Sequence, residues 1–597
     1  MKVSVVIPTY NRRASLERCV ESLAAQSFSA SEYELIVVAD GSTDGTLEFL
    51  ERFKSSCAFR WFSQPNQGPA AAQNAGIAAA VGEIVILIDD DCICDSGLVA
   101  AHHEAQRDSG RVVVIGPMFL HSETPGGTLR GIKADAARAD FERLTLGRIR
   151  RSDMMLCANS SIAREAALAC PFNVAYKRLH DVEVGLRLWA QGYRPKFAAN
   201  AVAYELFTKS VAGVMRDARD QGRYEAFLAE KHPEFKPLAA LIRINEGNPL
   251  KRWMRKQLAM HAGMSEFVLR WICGVSEILR GLPLFASLAH RALRARVGIQ
   301  HLRGGIDQAG SWRELEKRFG KRVPVILYHN VGQPRVGEFP GLTISPAEFE
   351  QQIRLLKKMG YETIVPEDWL RWREAGGELP KRPVMLVFDD AYAEAAEIAF
   401  PMLQRYGFTA ACMVVTSCIG KTNRWDEAAG RPSFQLMNEL EIREWATNGI
   451  EFGGHTRSHP DLPSVDDERL EGEVAECKDF LARLLGKPPV SFAYPFGGFS
   501  SAAIAAVGRH FQLGFTSWPG RLHLAVDPAL VPRIYFLPRE SRVGMWCRLR
   551  LGKNPFEVIR NRWRRLMGKR PDESYPDRGS GSISMRTDEN RIRFDRR

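Results

Sequence analysis

Short apolar, β-branched runs recur through the first 235 positions, at Val3–Ile7, Leu35–Val38, Ile84–Ile88 and Val112–Ile115, with Ala-, Leu- and Glu-rich segments of helical period between them. Strands alternating with helices in this way predict an α/β domain. From 236 to 320 the strands disappear. The chain becomes rich in Leu, Arg and Ala, with Pro249, Gly281-Leu282-Pro283 and Gly304-Gly305 as breaks, which predicts a helical connector. A second alternation runs through Val323–Tyr328, Val384–Phe388, Ala410–Val415, Ile450–Gly453, Ser491–Tyr494 and Leu513–Thr516 and ends near Phe536, predicting a barrel-type α/β domain. Gly568–Arg597 has few large apolar residues and is expected to be disordered. The expected division is 1–235, 236–320, 321–540 and 541–597.

At 597 residues the chain exceeds what one core supports, in agreement with two or three domains. The net charge of +12 is unevenly placed. Residues 237–322 hold 16 Lys/Arg and 6 Asp/Glu, and residues 539–597 hold 17 and 8, so these segments carry +10 and +9 and the remainder about −7. A basic connector and tail beside acidic domains suit an anionic membrane surface at least as well as nucleic acid, and no base-reading module appears. The 11 scattered cysteines lack a Cys-x-x-Cys pair, and the start at Met1 reads as a strand rather than a signal peptide, so a reduced, cytoplasmic protein is expected. The apolar stretch Phe267–His290 is interrupted by Arg270, Glu277 and Arg280 and does not qualify as a membrane span. Trp253, Leu258, Met264, Phe267, Val268, Trp271 and Ile272 recur with Arg and Lys between them, as in an amphipathic helix. This face either packs on a domain or, with Trp546, Arg548, Arg550, Trp563, Arg564 and Arg565, rests peripherally on anionic lipid.

The candidate chemistry lies where strands end. Val5-Val6-Ile7-Pro8-Thr9-Tyr10-Asn11 closes a strand and opens a helix, placing Pro8, Thr9 and Asn11 at a strand's carboxyl end, where α/β sheets bind ligands. Asp40 repeats that position in Ala39-Asp40-Gly41-Ser42. The strand Ile84–Ile88 runs directly into Asp89-Asp90-Asp91, three adjacent carboxylates that need compensation. A hard divalent cation is the simplest partner and would also neutralise a diphosphate leaving group.

Together with Asn66-Gln67-Gly68 and Gln73-Asn74-Ala75-Gly76, these motifs make residues 1–235 resemble the family-2 inverting glycosyltransferases, whose GT-A fold is a nucleotide-binding α/β domain. The resemblance implies that Asp89-x-Asp91 holds Mn²⁺ or Mg²⁺ and the donor diphosphate, with Asp91 as metal ligand. It implies that Pro8, Thr9, Asn11, Asp40, Asn74 and Asp89 bind a nucleotide-sugar donor such as a UDP-linked sugar. His180-Asp181-Val182-Glu183 resembles the family's Glu-Asp motif and makes Asp181 the candidate general base. Three departures stand out: Ala39 where many members carry an Asp that contacts the base, Gln73 where Arg is usual, and Glu205 where a His is common.

In the C-terminal half, Val384–Phe388 ends in Asp389-Asp390, and Gly454-His455-Thr456-Arg457-Ser458-His459 supplies two imidazoles four positions apart. A helical turn at that spacing would present both to one metal. Two His and one carboxylate leave positions open for water and substrate. With Ser491-Phe492-Ala493-Tyr494-Pro495-Phe496-Gly497, these motifs resemble the polysaccharide deacetylase, or NodB-homology, domain of carbohydrate esterase family 4, a distorted (β/α) barrel. The resemblance implies that Asp390, His455 and His459 bind Zn²⁺ or another divalent transition metal and that Asp389 is the base. It places Tyr494 and Phe496 at the oxyanion and substrate. Ala391 replaces the usual Gly, Ala493 replaces an Arg that normally orients the base, and Leu522-His523 is a loose candidate for the family's acid.

The expected function is therefore a bifunctional, cytoplasmic enzyme of glycan biosynthesis. It transfers a sugar with inversion to a glycan or lipid-linked glycan acceptor, and it removes an N-acetyl or O-acetyl group by metal-activated water. The alternatives are one catalytic half joined to a carbohydrate-binding module, or a membrane-associated scaffold of a glycan assembly complex.

Overall fold

The computed structural model describes residues 1–555 apart from Asp108, Arg148, Arg150, Met155, Cys157, Arg280, Gly281, Pro340, Pro538 and Arg539. The expected disordered segment Gly568–Arg597 and the basic cluster Trp563, Arg564 and Arg565 lie outside the described residues. The chain divides into two compact units, Met1–Ile244 with Leu250–Glu316, and Asn245–Pro249 with the chain from Lys317 onward.

The first unit is built on a seven-stranded sheet in the order Ala58–Gln64, Tyr33–Asp40, Val3–Thr9, Ile84–Leu87, Ser160–Ala163, Val112–Ile115, Arg194–Phe197. Its first four strands are parallel, and Ser160–Ala163 pairs antiparallel with both its neighbours. Successive side chains of a strand serve opposite faces. Val3, Val5, Ile7, Leu35 and Val37 accordingly join one core cluster, while Val6, Ile36 and Val38 join another on the other face. A strand covered on both sides needs an unbroken apolar run, which is the pattern its sequence shows.

Most of the expected connector belongs to this unit. It forms the helices Pro249–Met260, Ala262–Ile278, Pro283–Ala309 and Trp312–Phe319. Gly304-Gly305 is not a break: both residues sit inside the continuous helix Pro283–Ala309, which packs on the helix Val211–Lys231. The glycines are there for close approach. A Cβ on Gly304 would lie 1.8 Å from the Arg219 carbonyl oxygen, and one on Gly222 would lie 1.8 Å from that of His301.

The second unit is a parallel sheet curled into a nearly closed barrel, in the order Val325–Tyr328, Pro383–Phe388, Ala411–Val414, Glu451–Gly454, Ser491–Ala493, Leu513–Pro519, Val531–Arg533. The last of these strands goes beyond the sequence expectation. Just past it, Ile534 bridges in parallel to Ile326 of the first strand, with Ile534 N donating to Val325 O and Leu327 N to Ile534 O, and so brings the barrel's ends together. Helix Arg542–Leu551 adds Met545 and Leu549 to the same core, so chain beyond 540 completes this unit. Arg548, expected to face lipid, is instead buried in an ion pair with Glu540 at 2.9 Å.

Gly304→Ala is expected to destabilise the first unit by about 1–3 kcal/mol through overpacking. Gly298→Ala, in the same helix but with nothing within 4 Å of its added Cβ, should be neutral or stabilise by up to about 1 kcal/mol. Urea unfolding followed by circular dichroism distinguishes the pair.

Candidate active sites

In the first unit, Pro8 sits half-buried, next to last in its strand, and the chain turns through Asn11 in a left-handed conformation (φ 51°). That turn lets Asn11 N donate to Ser42 Oγ and Asn11 Oδ1 accept from Thr43 N at 2.7 Å, tying two strand-end loops together. It also aims Arg12 at the acidic cluster. Arg12 Nη1 lies 2.9 Å from Asp90 Oδ1 and 2.8 Å from Asp91 Oδ2, and Thr9 Oγ1 donates to Asp90 Oδ2 at 2.7 Å. Burial, reinforced by the charges of Asp91, Asp90 and Asp181, pushes the Asp89 carboxyl up to about 7. Asp181, in the first turn of helix His180–Ala190, therefore lies within electrostatic reach of the cluster despite the distance between them in sequence. The oxygen-only donor set of Asp89 and Asp91 fits a hard divalent cation.

Two expected donor-binding residues are engaged elsewhere. The Asp40 carboxylate accepts from Gln64 Nε2, Gln67 N and Gly68 N at 2.8–2.9 Å, so it anchors the Asn66–Gly68 loop. Asn74 makes a two-way pair with the Phe172 backbone, donating to its oxygen at 2.9 Å and accepting from its nitrogen at 2.8 Å. Ala39 is fully buried in the apolar core, Gln73 is buried, and Glu205 pairs with Lys133 at 3.6 Å. Arg12 was not anticipated. A cation immediately before a helix that faces three later carboxylates carries no pattern in one sequence.

In the second unit the polar groups gather at the carboxyl ends of the parallel strands, as barrel sites do. Asp390, His455 and His459 form a buried cluster whose ligand atoms lie within 4.8 Å of one another, and it is the only such group of three found among the described residues. Both imidazole Nε2 atoms are 3.3 Å from Asp390 Oδ1 and 3.2 Å from each other. The two histidines do not share a helical turn. They belong to a loop held by left-handed Thr456 (φ 67°) and His459 (φ 61°), in which His459 N donates to Thr456 Oγ1 at 2.8 Å. His455 Nδ1 donates to Ala493 O at 2.8 Å, which turns Nε2 toward the cluster.

Burial alone would raise the Asp390 carboxyl, but the two imidazoles hold it well below the usual range. Burial pushes His459 down to about 3, which keeps it neutral as a ligand must be. Three converging lone-pair donors in a buried pocket fit a divalent transition metal.

Asp389 and Asp390 diverge, as neighbours at a strand end should. Asp390 (φ 74°) and Ala391 (φ 58°) are both left-handed, which explains why glycine suits the position Ala391 occupies. Asp389 turns the other way into a bidentate pair with Arg533, Nη1 to Oδ1 and Nη2 to Oδ2, both 2.8 Å. Arg533 also donates from Nε to Thr516 O at 2.8 Å. Burial would raise the Asp389 carboxyl, but the Arg533 charge outweighs it and holds the group below its ordinary value. Arg533 thus makes with Asp389 the kind of contact that the resemblance assigns to an Arg at the position of Ala493. It belongs to no motif near the other site residues, so only closure of the barrel reveals it.

Further residues surround the cluster. His329 follows the strand paired with Pro383–Phe388 and lies within electrostatic reach of Asp389, Asp390 and His459. The Trp425 ring stacks on His459 at 4.1 Å, and Phe496 meets the same imidazole edge-on at 4.6 Å. Phe496 is left-handed (φ 55°) and half exposed, so it borders the site. Tyr494 does not: it is buried in a core cluster with its hydroxyl donating to Ala529 O at 2.9 Å. His523 Nδ1 accepts from Ala525 N in its own loop.

Comparison with known proteins gives the α/β domain and the barrel each a family. Residues 4–170 match the model for Glycosyl transferase family 2, and residues 376–514 match that for Polysaccharide deacetylase. The chain carries one domain of each family. Glycosyltransferase GlyG of Streptococcus pneumoniae serotype 4 is 34% identical over 126 residues, which are 21% of this chain and 41% of that protein. The poly-beta-1,6-N-acetyl-D-glucosamine N-deacetylase of Staphylococcus epidermidis is 24% identical over 207 residues, 33% of this chain and 69% of that protein. A solved structure of the Streptococcus pyogenes deacetylase PplD in complex with acetate aligns at 25% identity with a TM-score of 0.34, covering 38% of this chain and 98% of that one. The chain thus spans less than half of GlyG and about two thirds of the staphylococcal deacetylase.

Arg533→Met removes the charge that keeps Asp389 ionised. The acidic limb of the pH profile for acetate release should move to higher pH, kcat should fall at least about tenfold, and stability should drop by about 3 kcal/mol. Arg533→Lys, which keeps charge but not the fork, should recover the pH limb more than the rate.

Proposed function

We propose that the chain is a bifunctional enzyme of glycan biosynthesis that transfers a sugar from a nucleotide-sugar donor with inversion and hydrolyses an acetyl group from a carbohydrate. The observation that carries this reading is the paired arrangement at Asp389 and Asp390, one carboxylate held by Arg533 and its neighbour set against two histidines.

For the deacetylase half, Asp390, His455 and His459 would hold a divalent transition metal such as Zn²⁺. When bound, that metal supplies Lewis acidity toward water and the acetyl carbonyl. Asp389, ionised by its Arg533 partner, accepts the proton of the attacking water. The water oxygen bonds to the acetyl carbon, the carbon–nitrogen bond breaks as the leaving nitrogen takes up the proton held by Asp389, and acetate and a free amine result; with an O-acetyl group the carbon–oxygen bond breaks and the leaving oxygen takes that proton. Phe496 and Trp425 supply an apolar border against which a sugar ring packs. The name of the staphylococcal relative favours an N-acetylated amino sugar.

For the glycosyltransferase half, Asp91 with Asp89 would hold Mn²⁺ or Mg²⁺, whose charge neutralises the leaving diphosphate. Asp181 removes the proton of the acceptor hydroxyl on the face opposite the departing nucleotide. Thr9 and Arg12 fix the carboxylates in place. Pro8 and Asn11 shape the strand end, whereas Asp40 and Asn74 act through the loops they anchor. The acceptor is a glycan or lipid-linked glycan. Because nucleotide sugars are made in the cytoplasm, we place both reactions there, at the inner face of the membrane. Engagement of Asp40 and Asn74 with the backbone favours a second reading, in which this half binds sugar without transferring it.

Asp389→Asn should lower acetate release from N-acetylated oligosaccharides by at least about a hundredfold while the purified protein retains its metal. His455→Ala should lose the metal itself, seen by elemental analysis. Unchanged acetate release in Asp389→Asn refutes the deacetylase reading. Asp91→Asn and Asp181→Asn should each abolish nucleotide release from a panel of donor sugars; wild-type protein inert toward the whole panel would favour the second reading.

A further inference from the structure

Helix Ala262–Ile278 is amphipathic in the wrong sense for a helix that only packs on its own domain. Met264, Phe267, Val268, Trp271 and Ile278 repeat at helical spacing, and all face outward, with Phe267 74%, Trp271 66% and Ile278 84% exposed. The residues buried on the opposite side are Ser265 and Ser276. Leu284, at the start of the next helix, is 76% exposed, and the preceding helix exposes Trp253 and Met254. An exposed apolar stripe at helical spacing, with Phe267 and Trp271 on it, marks an interaction surface more often than a bare face.

Charge identifies what covers it. Residues 249–296 hold nine Lys/Arg and two acidic residues, Glu266 and Glu277. Both acids are already engaged, Glu266 with Arg296 and Glu277 with Thr128. A second copy would bring a like-charged face against this one. An anionic bilayer instead receives the aromatic and aliphatic side chains among its acyl chains and the flanking cations among its headgroups. No helix among the described residues is long and apolar enough to cross a membrane, so the element lies along the surface.

We infer that the exposed stripe of helix Ala262–Ile278 docks the glycosyltransferase unit on an anionic lipid surface. The inference specifies the membrane contact proposed above and rests on surface geometry and charge rather than on either reaction. Such docking would bring a lipid-carried acceptor to the unit in two dimensions.

The test is co-sedimentation of the full chain with phosphatidylcholine vesicles, with and without about 30 mol% phosphatidylglycerol. Wild type should pellet with the anionic vesicles and release as salt rises. Phe267→Asp/Trp271→Asp should weaken binding by about tenfold or more at an unchanged thermal midpoint, although the basic tail is intact. Phe267→Ser/Trp271→Ser serves if the aspartates disturb folding. Wild type remaining in the supernatant, or folded variants pelleting as wild type does, overturns the inference. So does a wild-type dimer in sedimentation equilibrium that the substitutions dissociate without any lipid binding, which would assign the face to a second copy. Because the assay reads binding alone, an inactive glycosyltransferase half would leave its outcome unaffected.

Discussion

The deacetylase centre depends on a single buried ion pair. A carboxylate as enclosed as Asp389 would take up a proton unless a cation were fixed against it, since desolvation of an isolated charge costs several kcal/mol. Arg533 meets that need with both of its terminal nitrogens and is itself held by Thr516 O. The pair forms only because the last strand returns beside the first and Ile534 bridges to Ile326. Barrel closure and ionisation of Asp389 are thus one event, and separating the strands would strand the charge.

The backbone around the histidine cluster is constrained in a comparable way. The backbone at Asp390, Ala391, Thr456, His459 and Phe496 is left-handed, a conformation that is costly for residues with a side chain and that persists only where surrounding structure enforces it. The concentration of such residues around one cluster aims side chains that regular strands would direct elsewhere. Ala391 carries a cost that glycine would avoid, without displacing either aspartate.

The first unit solves an electrostatic problem differently. Of three successive carboxylates at a strand end, Asp90 and Asp91 are held by Thr9 and Arg12 from the neighbouring strand's exit, and Asp181 lies within electrostatic reach of Asp89. Polar residues around them, Asp40 and Asn74 in particular, are spent on fixing loops. The site therefore owes its shape to side chain–backbone bonds as much as to groups that face the cleft.

Periodicity and local motifs were enough to read two α/β domains and to place Asp89–Asp91, Asp389, Asp390, His455 and His459 as candidates at strand ends, because each belongs to a short segment whose pattern is local. Substitutions read from the same motifs misled where a distant residue compensates: Ala493 suggested a missing orienting Arg that Arg533 supplies from a different strand. The His-x-x-x-His spacing paired two residues that the structure does bring together, but it implied a helix, whereas a left-handed loop does so. Gly304-Gly305 looked like a break and is a close helix crossing, because a glycine pair alone does not say whether backbone freedom or absence of a Cβ is being used. The direction of the apolar stripe near Phe267 was equally undetermined, since periodicity gives a helix two faces without saying which one the protein covers. Sequence by itself determined which residues could do the chemistry; the tertiary structure decided which partner each one meets, since burial, charge pairing and exposure depend on chain segments that are far apart until the domains close.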